Sequence, residues 1–217
     1  MERDLVFSRR SATINMPLFV DPLDIWLMIL GATVLSSAYL VYLTAGVRYE
    51  PISLRGLAYF YIIVGIYALA MGIWGTAVWP LPSSYNIVLI DPYALFGIAA
   101  LVVGISLYLG QTKYVGLPML FLGIIPVVYG VDIAVNHMTT EPGLAAAMYI
   151  TIGLAAILAP FAYTFNLGRG SRYVGYIIMI LLIIGGLLAY VIGISAAFGH
   201  VHAFAGWSPW YGVPPPH

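Results

Sequence analysis

Six apolar stretches follow one another along this chain, separated by short polar breaks. Each is about the 20 residues that a helix needs to cross the hydrocarbon core of a bilayer. Inside that core every backbone N–H and C=O must be satisfied internally, so a single apolar run of this kind can only cross as a helix. The composition agrees. Asp, Glu, Lys and Arg make up 7% of the residues, against roughly 25% in a soluble domain, and the mean hydropathy is +0.99. The expected fold class is all-α, an integral membrane bundle of six transmembrane helices.

Breakers divide the chain into expected spans at 23–44, 56–79, 93–110, 115–135, 144–165 and 173–197. Pro80-Leu81-Pro82 ends the second, Asp91-Pro92 opens the third, and Glu141-Pro142-Gly143 opens the fifth. Proline near a first helical turn costs nothing, because its missing N–H would be unbonded there anyway. The organisation is then a tail (1–22), a bundle (23–197) and an aromatic, Pro-rich tail (198–217). Residues 1–16 contain no apolar core of a cleavable signal, so the first span is expected to direct insertion. Leu109-Gly110-Gln111-Thr112-Lys113-Tyr114-Val115-Gly116 reads like Leu167-Gly168-Arg169-Gly170-Ser171-Arg172-Tyr173-Val174-Gly175. That likeness fits three repeated hairpins. It fits equally well three turns that converged on Gly, a basic residue and Tyr.

Basic residues set the orientation. Arg48, Arg55, Lys113, Arg169 and Arg172 fall in alternate loops, and the remaining loops carry none. Such loops stay in the cytoplasm, so the expectation is a cell-membrane protein with both termini outside. Arg3, Arg9 and Arg10 oppose this, partly offset by Glu2 and Asp4.

The formal net charge is zero and no basic patch is present, so nucleic acid is not an expected partner. Cysteine is absent. That removes disulfides, thiolate nucleophiles and Cys-held zinc or iron–sulfur clusters. With one Gln and four Asn, the composition leans toward a thermophile. No HExxH, phosphate loop or GxSxG occurs. The chain is therefore expected to be non-catalytic and to need no cofactor.

Candidate functional residues remain. Tyr129, Asp132 and Asn136 share a helical face by their spacing of three and four. A carboxylate in a span is costly and marks a polar niche for a proton, ion or ligand, or else an interfacial residue. His200-Val201-His202 has metal-like spacing if extended, and on a helix the two rings diverge. Two His are not a site, and a third ligand would have to come from His137, Glu141, Asp91 or His217. Gly185, Ala189, Gly193 and Ala197 recur every four residues, a small-residue stripe that admits another helix. Trp79, Tyr85, Trp207, Trp210 and Tyr211 are candidates for docking a partner.

The segment Trp79-Pro80-Leu81-Pro82-Ser83-Ser84-Tyr85-Asn86-Ile87, followed by Asp91-Pro92 and Leu95-Phe96-Gly97, resembles the signature loop of an uncharacterised archaeal and bacterial family, domain of unknown function 981. The resemblance implies a multi-spanning membrane protein and supplies no activity. Physically, the loop is expected to be a rigid outer turn, with Asn86 bonding its own backbone. The expected function is an accessory or structural subunit of a larger membrane complex, with lipid and other membrane chains as partners. The alternatives are a small-solute or proton transporter using Asp132, or a redox- or quinone-associated component with an outer His site. Cysteines placed at Thr112 and Ser208 test the orientation with an impermeant thiol reagent on intact cells. Labelling is expected at Ser208 only, and the reverse pattern inverts the topology.

Overall fold

The computed structural model describes residues 22–44, 54–81, 84–111, 113 and 115–203. Six helices cover nearly all of them: α1 (Leu23–Thr44), α2 (Arg55–Val78), α3 (Tyr85–Tyr108), α4 (Gly116–Asn136), α5 (Pro142–Tyr163) and α6 (Arg169–Ala203). All six are long and apolar enough to cross a membrane, and no strand occurs among the described residues. The protein is a multi-pass membrane protein.

Four expected helices match the observed ones to within two residues at each end, the first of them without difference. Two depart further. Helix α3 begins at Tyr85, so Asp91-Pro92 lies inside it rather than opening it. Helix α6 runs on to Ala203 and takes the first residues of the expected tail.

Glycine organises the packing. Small residues recur seven apart as Ala58, Gly65 and Gly72 on α2, Gly97 and Gly104 on α3, and Gly116, Gly123 and Gly130 on α4. The same spacing holds for Ala146, Gly153 and Pro160 on α5, Gly31 and Ala38 on α1, and Gly186 and Gly193 on α6. All of these are buried. A strict seven-residue repeat keeps one face toward one partner along a left-handed crossing. A Cβ on Gly97 would lie 2.4 Å from the Leu69 nitrogen, and one on Gly72 would lie 2.5 Å from the Ala94 Cα. Gly123 and Gly153 each stand against the other's carbonyl oxygen, at 2.6 and 2.7 Å from the added atom. Gly31 meets Tyr190 and the Gly186 carbonyl. The close pairs are therefore α2–α3, α4–α5 and α1–α6, with α6 also on α5. Helix α3 touches α4 and α1 only lightly.

The ends of the bundle are tied by polar contacts. At one end Ser84 Oγ, in the α2–α3 turn, meets Met138 Sδ in the α4–α5 turn at 3.9 Å. At the other, Thr164 Oγ1 donates to the Lys113 carbonyl at 2.9 Å. These are called below the Trp79 end and the Lys113 end. At the Lys113 end Gly110 (φ 69°) and Gly168 (φ 57°) are left-handed. That conformation favours glycine, which accounts for the likeness of the two basic turns.

Pro92 is tolerated inside α3 for a specific reason. Its missing N–H leaves the Val88 carbonyl without its helical donor. The Tyr149 hydroxyl on α5 donates to that carbonyl at 2.8 Å, in a buried position. Tyr149→Phe should orphan the Val88 oxygen and cost about 1–3 kcal/mol, the penalty for a buried unsatisfied acceptor. In a Pro92→Ala background the main-chain N–H at 92 returns, and the loss should shrink to roughly 0.5 kcal/mol, the scatter seen between uncoupled sites. Thermal or chemical unfolding in detergent measures the cycle. Equal losses in both backgrounds would refute the coupling.

Candidate functional site

The α2–α3 turn is built from the inside out. Pro80 disfavours the helical region for Trp79, and α2 stops with Trp79 left-handed (φ 55°, ψ 56°), its N–H bonded to the Gly75 carbonyl. Leu81 then drops into the core, 4% exposed. Asn86, fully buried on the first turn of α3, accepts from the Leu81 N–H at 3.2 Å and donates to the Gly75 carbonyl at 3.3 Å. Asn86 thus ties α2 and the turn to α3, and the expectation that it bonds its own backbone gives way to this cross-element clamp. The α4–α5 turn opens in the same way, with His137 left-handed (φ 51°) and its N–H on the Ile133 carbonyl.

A polar cluster lies near the Trp79 end, on the flank formed by α2, α3 and α4. Thr76 Oγ1 donates to Asp91 Oδ1 at 3.2 Å. The Tyr129 hydroxyl lies beside the Asp91 carboxylate, with Asp132 also near it. Asn136 Nδ2 donates to Asp132 Oδ1 at 2.7 Å. Tyr129, Asp132 and Asn136 do share one face of α4. Asp132 and Asn136, however, are exposed on the surface of the bundle, so an enclosed niche around Asp132 is not what forms. The reason is register: the buried face of this part of α4 is held by Gly130 and Ile133, which turns 132 and 136 outward. Asp91 belongs to this cluster and was missed as part of it, because Asp91-Pro92 reads as the start of its helix rather than as a position within it. The signal available was the three-residue spacing of Tyr129 and Asp132 together with a second carboxylate in an apolar region.

A cleft of about 450 Å³ opens at the same end, lined among others by Leu81, Tyr85, Thr139, Glu141, Ser195 and His200. His200 and His202 lie on helix α6 rather than on an extended segment, so their rings diverge. His200 faces the cleft and His202 is exposed. His137 is exposed at its turn. Among the described residues no three His, Asp or Glu side chains gather into a metal-holding group.

Gly185 stands against Ile152 and Thr151 of α5, and Gly193 against Leu27, Met28 and the Asp24 carbonyl of α1. Ala189 between them is fully buried, and Ala197 is partly exposed. Trp79 and Tyr85 are exposed, at 49% and 38%. Trp207, Trp210 and Tyr211 lie outside the described residues.

Six apolar helices joined by short turns define a multi-pass α-helical membrane protein. The chain belongs to the DUF981 family of proteins of unknown function, whose family model matches residues 16–203. No curated protein and no solved structure matches it significantly.

Proposed function

We propose that this protein is a non-catalytic accessory subunit of a larger complex in the cell membrane, with its Lys113 end in the cytoplasm, docked to another membrane chain through the flank of α2, α3 and α4. The observation that carries this reading is the outward carboxylate cluster. Asp91 and Asp132 both stand in membrane-crossing helices, Asp91 half-buried and Asp132 exposed, and around Asp132 the α4 surface positions Val128, Val131 and Val135 are all exposed. A carboxylate against lipid costs on the order of 2.5–3.5 kcal/mol at mid-membrane, and less toward the interface. A basic or hydrogen-bond-donating side chain of a second helix removes that cost and gives the contact its specificity. Exposed Trp79, the left-handed residue just past the end of α2 and three residues after Thr76, suits the rim of such an interface.

A carrier built on Asp132 fits less well. Its carboxyl is on the exposed flank, whereas substrate passage through a bundle calls for an ionisable group facing the interior. A redox role for the His residues lacks a third ligand among the described residues.

The test is assembly of the native chain after gentle detergent extraction. The protein should migrate with at least one other membrane chain. Asp91→Asn with Asp132→Asn should release it while leaving helix content and melting unchanged. Truncating a buried charge pair costs about 2 kcal/mol or more, roughly thirty-fold in dissociation constant. A native chain that migrates alone, or a double variant that keeps its partner, contradicts the reading.

A further inference from the structure

We propose that the Lys113 end of the bundle binds the head group of an anionic phospholipid, at a site formed where the α3–α4 turn meets the α5–α6 turn. Charge is segregated along the bundle. Among the described residues the cations Arg55, Lys113, Arg169 and Arg172 all stand at the Lys113 end. The carboxylates Asp24, Asp91, Asp132 and Glu141 all stand toward the Trp79 end. The 45–53 segment, outside the described residues, adds one charge of each sign, Arg48 and Glu50. The Lys113 end is therefore net positive. The site is at the far end from the carboxylate flank and does not depend on what docks there.

Lys113, Arg169 and Arg172 come from two turns that are bonded together. Thr164, at the end of α5, donates to the Lys113 carbonyl at 2.9 Å. Gly116, which starts α4, lies so near that a Cβ there would stand 2.7 Å from both the Pro160 Cα and the Thr164 Oγ1. The α5–α6 turn is fixed as well. Ser171 Oγ, in the first turn of α6, donates to the Phe161 carbonyl at 3.1 Å and accepts from the Leu167 N–H at 3.4 Å. Arg169 and Arg172, three apart on that turn, share one face of α6. All three cations are exposed. Beside them in sequence Leu109, Phe165, Leu167 and Tyr173 are exposed too. That pairing of chemistries selects the ligand. A guanidinium takes a phosphate through two parallel hydrogen bonds, and a tyrosine or leucine at the membrane boundary meets the glycerol and upper acyl region. A soluble anion gains from the cations alone, whereas a phospholipid gains from both. A zwitterionic head group brings its own ammonium to a site of three cations, so an anionic one is preferred. Each cation near an anionic lipid surface is worth about five-fold in affinity.

The probes are dioleoyl phosphatidylglycerol and dioleoyl phosphatidylcholine, which share their acyl chains and differ in net charge. Each is titrated into the purified full-length chain in detergent, and bound lipid is counted by native mass spectrometry. Phosphatidylglycerol should bind roughly ten-fold tighter or more, as two or three cations at five-fold each require. The preference should shrink in high salt, which screens exposed charges. Arg169→Gln should weaken phosphatidylglycerol binding about five-fold, and Lys113→Gln, Arg169→Gln and Arg172→Gln together should remove the preference. The single variant decides the matter if the triple one fails to assemble. Arg55→Gln is the control for position, because it removes a cation from the same end but from the α2–α3 hairpin, and it should leave the preference within about two-fold, a small part of one cation's worth. Four results would each overturn the proposal: equal binding of the two lipids, no loss with Arg169→Gln, a loss with Arg55→Gln as large as with Arg169→Gln, or displacement of the lipid by glycerol 3-phosphate, which would assign the cations to a soluble anion.

Discussion

Where Gly97 on α3 passes Leu69 on α2, a side-chain carbon on the glycine would lie 2.4 Å from a backbone nitrogen. The two helices are therefore as close as their main chains permit. Lipid tails are as apolar as leucine, so burial of oily surface does not by itself hold membrane helices together, and dispersion contacts between closely approaching backbones take over. Seven-residue spacing repeats that contact along each of three antiparallel pairs. Much of the rest follows from it. The pairs are fixed by backbone contact, and the seams between pairs are left to larger side chains that meet less completely. An apolar cavity of about 110 Å³ lies in those seams, between α3 and its neighbours α1, α4 and α5.

Polar groups within the bundle are placed where the backbone would otherwise be short of a partner. Pro92 frees the Val88 carbonyl, and Tyr149 takes it. The α2–α3 turn departs from helical geometry at Trp79, and Asn86 closes it by bonding both the turn and the last turn of α2. Both substitutes come from another part of the fold, so each also fixes where two elements lie relative to one another. Against that background the half-buried Asp91, the exposed Asp132, and the Trp26 and Tyr93 donors that lack a partner among the described residues stand apart. The carboxylates lie on the flank of the bundle, and the two donors are enclosed in its core.

Much of the architecture was legible from residue order alone. The six apolar runs and their breakers follow from the cost of unpaired backbone in hydrocarbon, which is severe enough to leave little freedom. The start of α3 was not legible. Asp91-Pro92 has the local chemistry of a helix start, and only the Tyr149 hydroxyl, from a helix far along the chain, makes the proline acceptable where it is. The outward turn of Asp132 was hidden for a similar reason: spacing places it with Tyr129 and Asn136, but the facing of α4 is decided by where Gly130 and Ile133 pack on α5. The small-residue stripe of α6 stands out at a spacing of four. The seven-residue pattern on α2, α4 and α5 carries more of the packing and is visible in the sequence once that period is sought. The cavity beside α3 was not legible, because a cavity is defined by what fails to meet.

The dependence of the bundle on glycine contact is tested most directly by comparing two single methyl additions. Gly97→Ala places a carbon against the α2 backbone, whereas Gly143→Ala, on the first turn of α5, meets nothing within 4 Å. Unfolding in detergent should show Gly97→Ala destabilised by about 1–3 kcal/mol or more, as overpacking requires. Gly143→Ala should be unchanged or stabilised by up to about 1 kcal/mol, the helix preference for alanine. Equal stability of the two variants would contradict the account.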